Sequence, residues 1–295
     1  MRKKYPKISI ITPVYNRGVL IKETIDSILD QSYPNLEYIV VNDGSTDDSL
    51  KVIRKYGNKL KVINQENQGE TAAVNKGLKM ATGEIVCILN SDDLLNPGSL
   101  RKVINFFNRY PNIIVAYPNW QVINENRVLI EKVNVREHDY RYMFSRYSCY
   151  VGPGAFFKRR AIEITGGRNP RFKYVADFEF WLKLGLHGEF KKIPSNLASF
   201  RVHSSSQSQY ARGKEMAEEH KKLIDEILSF QSFPGELKKN AKEAYSSAYY
   251  HAASSVLDLN LKIKYYFMSF FQSPLVFIEK VKYELIKEKK KRFLW

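Results

Sequence analysis

The sequence predicts an α/β fold, a mostly parallel central sheet flanked by helices, with a helical extension at the C-terminal end. Three observations carry this expectation. Short β-branched apolar runs alternate with segments of helical period through the first third of the chain. Clusters of Gly, Pro, Asn and Asp punctuate them. Beyond about residue 210 strand-like runs stop and helical periodicity takes over. The 295 residues, 44% of them hydrophobic, are enough for one large domain and an appendage.

Residues 7–14 are apolar and β-branched and read as the first strand. The apolar run before Pro13 is too short for a secretory signal, and no stretch approaches the ~18 apolar residues of a membrane span. Residues 18–31 set Leu20, Ile21, Ile25, Ile28 and Leu29 at helical spacing. A second strand, 36–41, runs into the turn Asn42-Asp43-Gly44-Ser45, and Thr46 or Asp47 caps a helix carrying Leu50, Val52 and Ile53. Strand 60–63, helix 71–80, strand 85–89, the acidic loop Asn90-Ser91-Asp92-Asp93 and helix 97–110 follow. Repeated β-α-β units in this order imply parallel pairing.

The next part is less regular. Strand-like pieces lie at 113–117, 120–123 and 128–133, then a Gly152-Pro153-Gly154 turn, a helix at 178–186 and a strand at 200–203 that enters a Ser/Gln-rich loop, 204–209. Helices are expected at 214–230, 236–259, 261–271 and 275–290. Residues 1–209 are thus expected to form one domain in two halves, 1–112 and 113–209, with 210–295 as the helical region.

The net charge is +16, about +11 of it before residue 210, so the basicity is not confined to a tail. It suits anionic partners such as nucleotides, phospholipid surfaces or acidic glycans, and equally a solvated lysine-rich surface. No zinc-finger spacing or aromatic RNA-binding motif points to nucleic acid. Two cysteines far apart, Cys87 and Cys149, fit a reducing compartment.

Parallel sheets bind ligands at the carboxyl ends of their strands. Three polar segments fall there: Tyr15-Asn16, Asn42-Asp43 and the loop 90–93. Asp92 and Asp93 either share a hard cation, Mg²⁺ or Mn²⁺, bridging to a diphosphate, or Asp93 caps the following helix. Asp43 is an acceptor for a base N–H or a ribose hydroxyl, or a turn-forming Asp before Gly. Asp177, among Val175, Ala176 and the aromatic Phe178, Phe180 and Trp181, suits a general base or a helix cap. His203 is a metal or phosphate contact or a structural histidine. The glycines at 152 and 154 would let backbone amides approach a ligand. No G-x-G-x-x-G, Walker A or G-x-S-x-G sequence occurs, which removes the usual dehydrogenase, P-loop and α/β-hydrolase readings.

In order and spacing the segments 12–17, 41–49, 66–69, 73–77, 89–93 and 97–98, then Gly166-Gly167, 176–184 and 200–203, resemble family 2 glycosyltransferases of the GT-A fold. The resemblance implies that Pro13, Tyr15 and Asp43 line the nucleotide pocket, with Asn75, Ser91 and Asp92 also on the donor. It further implies that the acidic loop corresponds to the D-x-D motif holding metal and diphosphate, that Asp177 is the general base, and that Asp92, Asp93 and His203 reach the metal. Two departures stand out: Asn90 replaces the first acid of D-x-D, and Val74 replaces the usual Arg before Asn75. No Q-x-x-R-W follows Asp177, which implies single-sugar transfer. The implied function is inverting transfer from a nucleotide-diphosphate sugar, UDP-linked in most of the family, to a hydroxyl of a polysaccharide or lipid-linked glycan. A nucleotidyltransferase shares the strand-end carboxylates and the metal, and Asn90 also suits an inactive sugar-nucleotide scaffold.

The last helix places Ile278, Val281 and Leu285 on one stripe among Lys280, Lys282, Lys287, Lys289, Lys290, Lys291 and Arg292, and ends in Phe293-Leu294-Trp295. Such a helix either lies on an anionic membrane surface or packs on its neighbours. The expected location is the cytoplasm, at the inner face of the membrane in the first case.

Overall fold

The structure, a computed structural model, describes residues 5–203 and 213–292, with side chains to 286. The loop 204–209, the final Phe293-Leu294-Trp295 and the side chains of Lys287 to Arg292 lie outside the described residues. The chain divides into two compact units. The first comprises Met1–His138, Tyr150–Ala176 and Lys183–Ser204; the second comprises Asp139–Cys149, Asp177–Leu182 and Ser205–Trp295.

The first unit is a nine-stranded sheet with helices. Strands β1 (Ile8–Val14), β2 (Leu36–Asp43), β3 (Lys61–Gln65) and β4 (Ile85–Ile88) pair in parallel, in the order β3-β2-β1-β4. Every residue of β1 is buried, which is why it reads as an unbroken apolar run. Proline is tolerated in this central strand because β4 pairs only as far as Ile88 opposite Ile11, leaving Pro13 beyond its end. Between the strands run α1 (Ile21–Leu29), α2 (Ser49–Arg54) and α3 (Glu70–Met80), and after β4 comes α4 (Ser99–Arg109). Ile21, Ile25 and Ile28 of α1 and Leu100, Val103 and Phe107 of α4 pack with Ile10, Val40 and Cys87 in one core.

The second half of the sheet departs from the expected elements. The pieces at 113–117 and 120–123 form one strand, β6 (Val115–Ile123), with register shifts at Pro118–Asn119–Trp120. Strand β9 begins at Phe190 and ends at Arg201, ten residues earlier than the expected start, and pairs in parallel with β6. The pairing skips from Ile193 to Asn196 across Pro194, so the strand survives by bulging. Two-residue β5 (Leu94–Leu95) pairs antiparallel with β9, β7 (Leu129–Val133) with β6, and β8 (Phe156–Lys158) sits antiparallel between β4 and β6. Helix α6 (Arg160–Thr165) follows β8, and α7 (Ala176–Gly185) precedes β9.

The second unit is helical: α5 (Tyr140–Ser145), part of α7, then α8 (Lys214–Ser229), α9 (Ala241–Ser254), α10 (Leu259–Gln272) and α11 (Pro274–Arg292). The expected helix 236–259 is broken: Gly235–Asn240 is a 3-10 turn, and Asp258 starts a new helix by accepting from the Leu261 N–H at 2.7 Å. Ala217, Tyr249, Ala252, Ala253, Val256 and Tyr265 form its core. Among the described residues no helix is long and apolar enough to cross a membrane.

Candidate active site

Parallel register brings the polar strand ends together. Val14 lies opposite Asn42, and Asp43 opposite Gln65. The loop after β1 is tied to the loop after β2: Thr46 N–H donates to Asn16 Oδ1 at 2.8 Å, and Asn16 N–H donates to Ser45 Oγ at 3.1 Å. Asp43 is buried, and its carboxylate accepts from Gln65 Nε2 at 2.7 Å and from the Gln68 and Gly69 N–H groups, each at 2.9 Å. It therefore holds the loop that opens α3. Gly44 is obligatory here, since its φ is +70° and an added Cβ would lie 2.7 Å from the Asn67 nitrogen.

The acidic loop at the end of β4 is the centre of the cluster. Asp92 Oδ2 accepts from His203 Nε2 at 2.9 Å and lies 3.7 Å from Arg17 Nε. A carboxylate only accepts, so the His203 tautomer in this contact carries its proton on Nε2. Asp93 is buried, and its Oδ1 accepts from the Arg201 N–H at 3.1 Å. Burial, then the Asp92 charge, pushes the Asp93 carboxyl well above the usual carboxylate range. The cap alternative for Asp93 fails, because α4 starts at Ser99 with Gly98 at its cap.

Arg201 had no role in the sequence reading. Its side chain is fully buried; Nε donates to the Asp92 carbonyl at 2.9 Å, one terminal nitrogen to the Glu125 carbonyl at 3.1 Å, and the other to Glu23 Oε2 at 2.6 Å. One guanidinium thus joins the acidic loop, α1 and the β6–β7 turn. Its five fixed donors suit this task as no ammonium would. The only sequence signal was an arginine flanked by apolar residues two positions before His203.

The remaining residues are placed as follows. Pro13 and Ser91 are buried beside the strand ends, and Tyr15 is exposed. Asn75, on α3, clasps backbone: its Nδ2 donates to the Arg168 carbonyl at 2.7 Å, and its Oδ1 accepts the Arg168 N–H at 2.8 Å. Gly167, at φ +93°, leaves room for that clasp, since a Cβ would meet Asn75 Oδ1 at 2.5 Å. The close approaches at Gly152 and Gly154 are to the Trp120 indole and the Ala198 methyl, so internal packing explains both glycines.

Asp177 belongs to the second unit. It occupies the first turn of α7 and not the cap, which is Val175. Its Oδ1 accepts from the Phe178 N–H at 2.7 Å, and an anion there complements the helix dipole. Phe178 meets the Tyr147 ring edge-on at 4.8 Å, and the Tyr147 hydroxyl bonds His220 Nδ1 at 2.8 Å. Tyr147 is held at φ 48°, uncommon for so bulky a residue. Burial, then the Asp177, Glu219 and Cys149 charges, pushes its phenol well up. Burial lowers His220 to about 4.

The donor chemistry at Asp92 and His203 admits a divalent cation. Carboxylate oxygen suits Mg²⁺ or Mn²⁺, and an imidazole nitrogen favours Mn²⁺ of the two. Among the described residues no three His, Cys, Asp or Glu side chains converge as a preformed cage. The residues therefore fit an ion that completes its shell with phosphate oxygens and water.

The chain is similar to known proteins in sequence and in fold. The family model for glycosyl transferase family 2 matches residues 9–165, just over half of the chain. An uncharacterized glycosyltransferase of Rickettsia typhi is 32% identical over 190 residues, 60% of this chain and 58% of that protein. Chondroitin synthase of Escherichia coli is 28% identical over 231 residues, 77% of this chain and 33% of that protein. The chain thus spans less than two thirds of these relatives. Among solved structures, Staphylococcus aureus TarS 1–349 in complex with UDP-GlcNAc superposes with a TM-score of 0.67 at 19% identity, covering 94% of this chain and 92% of that one. The mannosyltransferase PcManGT of Pyrobaculum calidifontis, in complex with GDP-Man and Mn²⁺, gives 0.66 at 20% identity over 99% and 84%. These likenesses bear out the expected GT-A architecture. With the family model on its sheet and the acidic loop at the strand ends, the chain belongs to glycosyl transferase family 2.

Proposed function

We propose that the chain transfers a single sugar, with inversion, from a nucleotide-diphosphate sugar to a hydroxyl of a growing polysaccharide or lipid-linked glycan. The observation that supports it best is the Asp92–His203 contact beside Arg17, at the carboxyl ends of the sheet's parallel strands. Relatives named chondroitin synthase, and neighbours in complex with UDP-GlcNAc or GDP-Man, agree with a nucleotide-sugar donor. UDP is the nucleoside diphosphate we assign to the donor.

In this reading Pro13, Tyr15 and Asp43 serve the nucleoside, Asp43 through the loop it holds as well as directly. Asn75 serves through the Gly167–Arg168 turn, and Ser91 and Asp92 face the diphosphate. Arg17 offsets the negative charge that accumulates there. Asp92 and His203, with neighbouring Asp93, would hold a Mn²⁺ once His203 gives up its Nε2 proton, and the ion would supply Lewis-acid stabilisation of the leaving diphosphate. Asp177 removes the acceptor hydroxyl proton as that oxygen attacks the anomeric carbon; the bond from that carbon to the diphosphate breaks, and configuration inverts. A lipid-linked acceptor implies contact with the cytoplasmic face of an anionic membrane, made by the basic helix α11.

The test is release of nucleoside diphosphate from a panel of sugar donors with Mn²⁺. Asp177→Asn is expected to keep donor binding and to lose ~10²–10⁴-fold in transfer, the usual worth of general-base help. Transfer at the wild-type rate would remove Asp177 from the role, and pyrophosphate release from a nucleoside triphosphate would favour a nucleotidyltransferase.

A further inference from the structure

Helix α10 is apolar on two opposite faces. Tyr265 and Ser269 are buried, with Leu261, Tyr266 and Met268 packed partly beside them. On the other side Ile263 (43% exposed), Phe267 (58%), Phe270 (41%) and Phe271 (78%) recur at i, i+4, i+7 and i+8, one stripe of a helix. The phenylalanines touch: Phe267 stacks on Phe271 at 6.4 Å, Phe270 meets Phe271 at 6.1 Å, and Phe270 meets Phe277 of α11 at 5.8 Å. Leu275 at the start of α11 is 77% exposed. Isolated exposed apolar residues need no explanation, but a contiguous aromatic stripe marks a surface that is covered in use.

We propose that this phenylalanine face of α10 inserts into an anionic lipid surface. The inference rests on the membrane part of the reading above and moves the main contact from the basic helix to the one before it. Charge decides the occupant. Residues 257–292 hold nine Lys and Arg against four Asp and Glu, and Lys264 and Lys282 are exposed. That excess attracts anionic headgroups and repels a second copy of the same face. The anchor stripe expected on α11 is weaker than the sequence suggested. Ile278 and Leu285 are exposed, but Val281 is half-buried. Lys280 is turned inward, donating to the Arg146 carbonyl at 2.8 Å and lying 3.1 Å from His251 Nε2. Aromatic rings above lysines match an interfacial helix, whose apolar side enters the acyl boundary while cations stay with the phosphates.

The experiment is flotation of the full chain with phosphatidylcholine vesicles, with and without about 30% phosphatidylglycerol, at about 0.1 and 0.5 M NaCl. The wild type is expected to float with the anionic vesicles and to keep part of that binding at high salt, because insertion of rings is not screened. Phe267→Ser with Phe271→Ser should weaken binding on the order of tenfold or more and abolish the salt-resistant part. Val128→Ser with Ile130→Ser, a loss of exposed apolar surface on the β7 hairpin away from α10, should change nothing. Flotation of the phenylalanine pair at the wild-type level overturns the inference; if Lys282→Glu alone then abolishes it, the basic-helix reading stands without this one. A wild type that ignores anionic vesicles, or a dimer that the phenylalanine pair dissolves, overturns it too. A Phe271→Trp variant checks the same point with the fold intact: its added fluorescence should be quenched by brominated lipid, and absence of quenching counts against insertion. Donor turnover by each variant in solution reports on sugar transfer separately.

Discussion

Arg201 in the sheet unit and Lys280 in the helical unit are both cations withdrawn from solvent, and their surroundings treat the charge in opposite ways. Arg201 is ringed by the Glu23 carboxylate, two carbonyls and the acidic loop it braces. Lys280 meets a carbonyl and an imidazole, near the Arg146 guanidinium. Burial first, then Arg146, lowers the Lys280 amine to about 8, while burial followed by Lys280 and His220 lowers His251 further. One region offsets its cation with a carboxylate; the other holds its proton more weakly, with the Glu279 and Glu284 charges only partly offsetting burial and Arg146. Pairing fixes a geometry that a ligand site requires, whereas the weakly offset Lys280 cluster only fills a helical interface.

The largest effect should come from breaking the paired region. Arg201→Met leaves Glu23 only Arg127, at 3.8 Å, leaves the Asp92 and Glu125 carbonyls without their donor and unties the Asp92 loop, which is expected to cost about 3 kcal/mol in urea unfolding. A loss under ~1 kcal/mol would show that the buried guanidinium does not brace the loop.

Glu37 tests the same principle elsewhere in the sheet. Burial alone would raise its carboxyl; bonds from Lys61 and Ser9, the Thr82 N–H and Lys7 outweigh this and hold it well below the usual range. A depressed carboxyl contributes stability that is present above its unfolded value of 4.5 and is lost as pH falls below it toward the folded value. Glu37→Gln should therefore cost ~2 kcal/mol at neutral pH and flatten the acid limb of the stability curve. An unchanged acid limb would contradict the pairing.

The smallest effect belongs to the weakly offset charge. Lys280→Met should stay within about 1 kcal/mol of wild type at pH 7, since an apolar group of similar length replaces a costly cation. Between about 8 and 10.5 the unfolded chain binds a proton that the folded amine has shed, so this group makes stability rise with pH there. The variant should lose that rise. If it loses stability comparably to Arg201→Met, the two regions do not differ as described.

The same contrast explains how much was legible in the sequence. The β-α-β half could be read because β1, β2 and β4 are buried on both faces and α1 and α4 each show one apolar stripe. In the second half β6 was expected as two pieces and β9 only from residue 200; each carries a proline, Pro118 or Pro194, that is absorbed as a bulge, and β8 is only three residues long. Asp92 and His203 were both singled out despite 111 residues of separation, because motif order carried them. Arg201 was missed because its partners Glu23 and Glu125 lie 178 and 76 residues away and no local pattern announces a buried guanidinium. Asp43 and Asn75 were read as ligand contacts; the structure gives each a loop to hold, a role written only in tertiary contacts.

The central claim is that Asp92, with His203, receives the metal-bound diphosphate. Calorimetric titration of UDP into the wild type and Asp92→Ala, each with and without Mn²⁺, tests it most directly. Mn²⁺ should strengthen binding to the wild type, and Asp92→Ala should lose most of that gain, about tenfold or more in Kd. Equal affinity of the two proteins in Mn²⁺ would contradict the assignment.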